Sequence, residues 1–311
     1  MTLLHFLPLK RWQRMTAYGA YTLFAFALCF YITFPYQAVT QRIVSEAASE
    51  GFLVQMGALG PGLLGVTAPL VRISRKPEEN IDQENTVLTL RSVSLRPSLF
   101  PVGLAFRAAG LGGTVSGAYG GIGSTSVTFD LSKVNAADPG VKSFSGLDLS
   151  GSLNGHLALD IPKSKNPKAP ETDLAQANGT LVLKLNQLLI KGGTVTVPIM
   201  GQPTPIDLPR VSIGDVEARV KFDKGLGKIE KFQGKGDDLE LSATGTLTLA
   251  KRLDYAQPNI DLKLKADPDF VKRVGIIGSG LSMLPADREN SGFRVAKITG
   301  FLARPVFNPG Q

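Results

Sequence analysis

The chain is short of the residues that most often carry chemistry. It has one cysteine, Cys29, among 311 residues, so it cannot form an internal disulfide, and its stability must come from packing and hydrogen bonding. Of its two histidines, only His156 lies beyond residue 35. Catalysis by a Cys/His pair is therefore excluded in that region, and a zinc site there would have to be built almost entirely from carboxylates.

His156 lies in a segment of alternating character. The apolar residues Leu157, Leu159 and Ile161 fall on one face of a strand, and His156 falls on the other face or near a turn. This pattern is typical of an exposed strand histidine rather than of a catalytic base.

Motifs for phosphate and calcium binding are also missing. The glycine-rich residues 57–65 and 278–280 lack the Gly-Lys-Ser/Thr ending of a phosphate-binding loop, and the acidic residues between 78 and 84 lack calcium-loop spacing. We predict no catalytic, cofactor-binding or metal-ligating residue and do not expect an enzyme. A hydrolase that uses serine and carboxylates is a weaker alternative, which turnover by the purified domain would support.

The net charge of +8 is a mild bias for a chain of this length. Lys10, Arg11 and Arg14 supply three of these charges in an N-terminal tail without acidic residues. No basic run is interleaved with aromatic residues, which argues against nucleic-acid binding. A solvated, mildly basic surface is the simplest interpretation, and a surface facing anionic lipid head groups is the alternative.

The N-terminal region predicts a membrane helix. No charge occurs between Met15 and Gln41, and residues 16–34 are continuously apolar or aromatic, which is about the length needed to cross ~30 Å of hydrocarbon. A cleaved signal peptide would have a shorter apolar core and an Ala-x-Ala site. Because the basic residues precede the helix, the N-terminus is expected in the cytoplasm and the remainder in a Gram-negative periplasm.

The predicted domains follow from this reading. Residues 1–15 form a cytoplasmic basic tail, residues 16–35 a transmembrane helix, residues 36–51 a short amphipathic helix, and residues 52–311 a periplasmic β-rich domain. In the amphipathic helix, Val39, Ile43 and Ala47 fall on one face.

From Phe52 onward the hydrophobic period changes to two. Residues 239–249 show it most clearly, with leucine or alanine on one side and glutamate, serine or threonine on the other. The fold class is therefore mainly β: a large curved antiparallel meander with one apolar face and one or two short helices. Similar alternation predicts strands over residues 87–95, 127–131, 149–161, 181–185, 211–222 and 260–264.

Glycines and prolines mark the expected connections. Turns are predicted at residues 110–113, 120–121, 154–155, 192–193 and 223–225. Residues 162–172 predict an exposed loop, and Asp267-Pro268 predicts a capped helix followed by a connection over residues 275–280.

The apolar face of the sheet has two physical uses. It can pack as a core, or it can stay open as a groove for lipid or a partner strand. The candidate residues for such a lipid or partner face are Leu239, Leu241, Leu247, Leu249, Leu181 and Leu183.

Several segments resemble the type II secretion system protein N family. They are the helix exit Phe34-Pro35-Tyr36, the amphipathic segment through Arg42-Ile43, the stretch Leu59-Gly60-Pro61-Gly62-Leu63-Leu64-Gly65, repeated Gly-x-Leu-x-Leu strands, and the C-terminal Lys297-Ile298-Thr299-Gly300-Phe301-Leu302-Ala303-Arg304-Pro305. The resemblance implies a non-enzymatic, cofactor-free accessory part of the inner-membrane secretion platform, with other inner-membrane and periplasmic secretion components as partners. The sheet is also similar to that of AsmA-like envelope proteins, which implies phospholipid binding or transfer along an apolar groove as the alternative.

Overall fold

The computed structural model describes residues 11–49, 52–62, 65–75, 87–145, 147–163, 173–199, 202–251, 253–288 and 292–310. Most of these residues lie in one antiparallel sheet, so the prediction of a mainly β protein is confirmed. The strands are β1 (Phe52–Met56), β2 (Gly60–Gly62), β3 (Gly65–Arg75), β4 (Val87–Leu99), β5 (Val102–Gly110), β6 (Gly113–Gly120), β7 (Ser124–Asn135), β8 (Leu147–Pro162), β9 (Asn178–Ile199), β10 (Gln202–Leu208), β11 (Val211–Asp223), β12 (Leu226–Lys235), β13 (Leu239–Thr248), β14 (Gln257–Ala266), β15 (Arg294–Phe301) and β16 (Arg304–Pro309).

Among the described residues, two α-helices precede the sheet and three short α-helices interrupt it. The first two are α1 (Arg11–Thr33) and α2 (Tyr36–Ser49), and the others are α3 (Pro139–Ser145), α4 (Pro268–Arg273) and α5 (Ile276–Met283). Within the described part of the chain, no helix combines the length and the apolar character needed to cross a membrane. The predicted transmembrane helix over residues 16–35 is therefore without support from the fold.

The sheet is a meander in which neighbours in sequence are mostly neighbours in space. The order is β1-β3-β4-β5-β6-β7-β8-β9-β11-β12-β13-β14-β15-β16, while β2 pairs with β3 and β10 pairs with β9. The end of the sheet at which β4 finishes and β5 begins is called the near end, and the opposite end the far end. Tyr31 of α1 donates a hydrogen bond from Oη to the carbonyl of Gly62 in β2 (3.3 Å), which places the exit of α1 at the near end.

Three predicted connections are wrong, and close packing explains two of them. Residues 154–155 lie inside β8 and residues 192–193 inside β9. A Cβ on Gly155 would lie 2.9 Å from Cδ2 of Leu183 and 3.3 Å from Cδ1 of Leu131, so this glycine makes room for neighbouring leucines. Residues 276–280 are helical rather than a connection, and a side chain at Gly278 would collide with the backbone of Val271.

Other local predictions agree with the fold. Turns separate the strands at Leu111-Gly112 and Lys224-Gly225, and Asp267 caps α4 by accepting hydrogen bonds from the amides of Asp269 and Phe270. The predicted loop over residues 162–172 and the acidic residues 78–84 lie almost entirely outside the described residues.

The two edges of the sheet differ. At one edge α2 contacts β1. At the other, the amide of Gly310 donates to the carbonyl of Val295 (2.9 Å), so the outward amide positions of β16 are those of Pro305, Phe307 and Pro309. Because proline has no N–H group, only Phe307 presents an outward N–H within β16. An edge with so few donors resists extension by another strand.

The apolar face of the sheet carries three clusters of buried side chains. The first cluster (Leu59, Ala68, Val71, Leu90, Ala108) lies under α2, which contributes Tyr36, Val39 and Ile43. The second cluster (Leu159, Ile161, Ala177, Val220, Phe222, Leu249, Ala256) lies in the middle of the chain, and the third (Val211, Phe270, Val274) joins α4 to β11.

Candidate functional site: an apolar cavity under the first two helices

A cavity of about 580 Å³ lies against the sheet between α2 and α3. Its wall is formed by β1 and β3 to β8, together with Ile43 of α2 and Val141 of α3. Every residue that the structure places in this wall is apolar, including Leu90, Phe106 and Phe129. The volume falls in the usual range for small-molecule sites, about 300–1,000 Å³, but the wall lacks the few polar groups that usually orient a compact polar ligand.

The register of the sheet explains where this space comes from. Ala68, Val93, Ala108, Val115 and Leu131 are direct neighbours across β3 to β7, so their side chains share one face. Ala68 and Ala108 are each 4% exposed, yet each fills only the volume of a methyl group. Small residues alternating with larger ones in this row leave an apolar hollow that α2 and α3 cover without filling.

A second cavity, of about 620 Å³, continues toward the near end of the sheet. It shares Ile43 and Leu95 with the first cavity and is bounded by Tyr31 and Phe34 at the exit of α1. Arg96 is the charged residue among its described wall residues. Together the two cavities form an apolar path that ends beside the exit of α1, at the strand segment that contains Arg96.

Hydrogen bonds hold the helical junction above this second cavity. Besides the Tyr31 bond to Gly62, the hydroxyl of Tyr36 donates to the carbonyl of Tyr31 (2.8 Å). The rings of Phe34 and Tyr36 meet edge to face, with centroids 5.0 Å apart. These contacts fix the angle between α1 and α2, and so set the opening of the cavity.

Four of the six leucines predicted for a lipid or partner face are packed in the later half of the sheet. Leu249 is part of the second cluster and is 5% exposed, while Leu181 and Leu247 pack against it. Leu239 packs against the third cluster, which joins α4 to β11. These positions belong to a covered part of the apolar face.

The other two predicted leucines lie on the same face but outside the cavity wall. Leu183 pairs with Gly155, which pairs with Leu131 of the cavity. Leu241 borders a different, polar cleft together with Glu217 and Lys231. The apolar face is thus continuous from the cavity to the six predicted leucines. The cavity lies in the earlier strands of this face, β1 and β3 to β8.

The cavity was not predicted from the sequence, although the alternating pattern predicted three of its strands, β4, β7 and β8. Alternation predicts the strands over residues 87–95 and 127–131, which supply Leu90, Val93, Phe129 and Leu131 to the wall. The available signal was the pair of small residues, Ala68 and Ala108, within otherwise bulky apolar alternation.

The opposite face of the sheet carries ion pairs. Nδ1 of His156 lies 2.6 Å from Oδ1 of Asp130, with side chains 52% and 47% exposed, so the predicted exposed strand histidine is confirmed. Glu217 lies 2.5 Å from Nζ of Lys231 and 3.9 Å from Nζ of Lys184. The hydrogen bond from Lys231 is the main cause that holds the pKa of Glu217 below its ordinary value, with the charges of the neighbouring cations adding to it.

Neither ion pair makes a centre that resembles a metal site. Across the residues that the structure describes, no three His, Cys, Asp or Glu side chains are grouped so as to hold a metal ion. The apolar cavity is therefore the candidate site.

In comparisons with known proteins, no protein-family model, curated protein or solved structure matches the chain.

Proposed function

We propose that the protein binds the acyl chains of a lipid in the apolar cavity, at the surface of a bacterial inner membrane. The observation that carries the proposal is the wall of the 580 Å³ cavity, in which every described residue is apolar. Transfer of hydrocarbon from water into such a space is favourable at about 25 cal/mol per Å² of buried apolar surface, and the wall offers no competing polar partner.

The second cavity supports a lipid rather than a wholly apolar ligand. Arg96 lies at its border, and an arginine side chain binds a phosphate oxygen pair well. A phospholipid would place its chains past Ile43 and Leu95 and its phosphate near Arg96. This arrangement matches the lipid-handling alternative that the resemblance to AsmA-like proteins implies.

We propose α1 as the element that holds the protein at the membrane, with the N-terminus in the cytoplasm and the sheet in the periplasm. The side chains of Trp12, Tyr18 and Phe26 are 78%, 72% and 72% exposed. Contact with lipid would remove this aromatic surface from water, and aromatic side chains favour the membrane interface. The basic Arg14 near the start of α1 agrees with the proposed orientation.

Membership of the type II secretion platform is the second candidate. It depends on the sequence resemblance and is favoured by the polar cleft of about 560 Å³ beside Glu217, Lys231 and Lys235, whose mixed charges suit a charged segment of a partner protein. Co-purification of the full chain from its native membrane would recover other secretion-platform proteins, and repeated failure to recover any would count against this candidate.

The test of the lipid proposal compares two matched alanine variants of the full chain. Ala108→Leu puts three additional carbons into the cavity, whereas Ala243→Leu makes the same change at a buried residue (7% exposed) outside the cavity wall. Native mass spectrometry with lipid extraction should find phospholipid at a fixed ratio to the wild-type chain and to Ala243→Leu, and a lower ratio in Ala108→Leu. Lipid-free wild-type protein, or equal loss in both variants at equal thermal stability, would overturn the proposal.

A further inference from the structure

Two hairpin tips at the near end expose large apolar side chains. In the β4–β5 tip, Leu99 is 77% exposed, Phe100 95% and Val102 54%. In the β6–β7 tip, Ile122 is 85% exposed. Tight turns are normally occupied by Gly, Asn, Asp, Ser and other polar residues, so apolar tips of this kind point to a surface that is not facing bulk water.

The two tips are parts of one surface. β5 and β6 are paired neighbours, and Leu104 lies directly opposite Tyr119. Both of these side chains are also exposed, 58% and 51%. We define the rim patch as the six exposed apolar residues Leu99, Phe100, Val102, Leu104, Tyr119 and Ile122.

The sequence around the rim patch contains no charge. Residues 97–106 and residues 117–129 contain no Asp, Glu, Lys or Arg. A protein-binding surface usually has a polar rim with charged residues around its apolar centre. A long uncharged stretch with aromatic and aliphatic tips is instead typical of segments that enter the interfacial layer of a bilayer.

The position of the rim patch agrees with a lipid occupant. Leu104 lines the second cavity together with Tyr31 and Phe34 of the α1 exit, so the patch is continuous with the base of the helix proposed to hold the protein at the membrane. Exposed apolar residues recur at the near end of later strands, for example Leu226 (48%) and Leu302 (44%) at the β11–β12 and β15–β16 turns.

We infer that the rim patch inserts into the lipid interface of the membrane beside α1, as a second contact separate from the helix. The occupant is the phospholipid bilayer itself, and Phe100 and Ile122, the most exposed residues, lie deepest. This contact would orient the sheet so that the second cavity, which borders the patch at Leu104, faces the bilayer rather than open water.

Tryptophan fluorescence of the full chain tests the depth of the rim patch. Because the chain has a single tryptophan, Trp12, the substitution Trp12→Phe gives a silent background. Phe100→Trp then reports on the rim patch, and Met283→Trp is the matched control. Met283 is 84% exposed and ends α5, whose Leu281 packs against Val211 at the far end of β11.

Both variants are placed in phosphatidylethanolamine and phosphatidylglycerol vesicles with or without bromine on the acyl chains. The expected result is a blue shift and strong bromine quenching for the Phe100→Trp variant, and neither effect for the Met283→Trp variant. Equal weak quenching of the two would overturn the inference. So would protection of the Phe100→Trp variant from aqueous iodide without bromine quenching, which would identify a protein or a second copy as the occupant.

This outcome is independent of the cavity proposal. The inference concerns an outer surface, and the variants Phe100→Trp and Ala108→Leu are measured by different readouts. Lipid-free protein in detergent together with bromine quenching in vesicles would contradict only the cavity proposal. Bound lipid in detergent without bromine quenching would contradict only the inference about the rim patch.

Discussion

Ile43 of α2 and Leu95 of β4 each line both apolar cavities. A helix residue and a sheet residue therefore form the boundary between the cavity under α2 and the cavity beside the exit of α1. The packing of α2 against β4 therefore sets the width of the passage between the two cavities.

Replacement of Ile43 tests how strongly α2 is held. Ile43→Ala removes a side chain that packs against the first cluster, and we expect the free energy of unfolding to fall by about 2 kcal/mol, at the lower end for such a truncation because the site is half-buried. Gln41→Ala, on the exposed side of the same helix, is the control and should change stability by less than about 0.5 kcal/mol. Denaturant unfolding of both variants measures the difference, and equal values would show that α2 does not depend on this contact.

Gly155 is predicted to be intolerant of a side chain although it lies within a regular strand. Gly155→Val would press on Leu131 and Leu183, which approach its Cβ position to 3.3 and 2.9 Å, and overpacking of this kind costs about 1–3 kcal/mol. The control is Gly280→Ala, since no atom lies within 4 Å of the Cβ that it adds. Thermal unfolding should show a lower midpoint for Gly155→Val only; an unchanged midpoint would mean that the leucines move apart freely.

The ion pair at Asp238 is predicted to contribute more to the stability of the fold than the ion pair at Asp269. Asp238 accepts from Nη2 of Arg273 (2.7 Å) and from the amide of Ser212 (2.6 Å), and its side chain is 14% exposed. Asp238→Ala leaves both donors without this carboxylate, which should cost about 1–3 kcal/mol.

The matched control at this site is Asp269→Ala. Its partner Lys272 lies 3.3 Å away and both side chains are largely exposed, so the expected cost is at most about 1 kcal/mol. Hydrogen exchange of α4 measures the local effect, and equal protection of α4 in the two variants would contradict the prediction.

The pH dependence of stability should include a contribution from Glu217. Its pKa is lowered in the folded state, chiefly by the hydrogen bond from Lys231. A group with a lowered folded pKa stabilises the fold above its unfolded pKa, and this contribution is lost as the pH falls through the folded pKa. The stabilising contribution of Glu217 should therefore be lost only at pH values below the ordinary pKa of a glutamate.

Lys231→Met is expected to raise the pKa of Glu217 toward its ordinary value, so that protonation occurs at higher pH. Carbon-13 NMR of the carboxyl group measures the pKa directly. The control is Lys228→Met, which removes a charge from the same strand. Lys228 is not one of the cations that act on Glu217, so this variant should leave the pKa of Glu217 unchanged. An identical shift in the two variants would show that net charge, rather than the hydrogen bond, lowers the pKa.

Local physics was sufficient for much of the secondary structure. Alternation over residues 239–249 predicts β13 (Leu239–Thr248) because side chains of a strand point to opposite faces in turn. Asp267-Pro268 predicts the start of α4 because both the cap and the fixed proline geometry are local. The same local reasoning wrongly predicted a turn at Gly155. The role of that glycine is set by Leu131 and Leu183 on the adjacent strands.

The candidate site could not be derived in this way. Ala68 and Ala108 are 40 positions apart in the sequence, and they share a row only because each pairs with Val93 on β4. The six leucines suggested for a lipid or partner face lie on the apolar face, but Leu249 and Leu239 are covered by other elements.

The amino-acid sequence by itself determined that the chain forms a mainly antiparallel sheet with an apolar and a polar face, because the period of two acts between residues that are close in the chain. Only the tertiary structure decided which part of the apolar face stays open. That choice depends on the pairing of distant strands and on where α2, α3, α4 and α5 pack, and contacts between distant residues leave no periodic signal in the sequence.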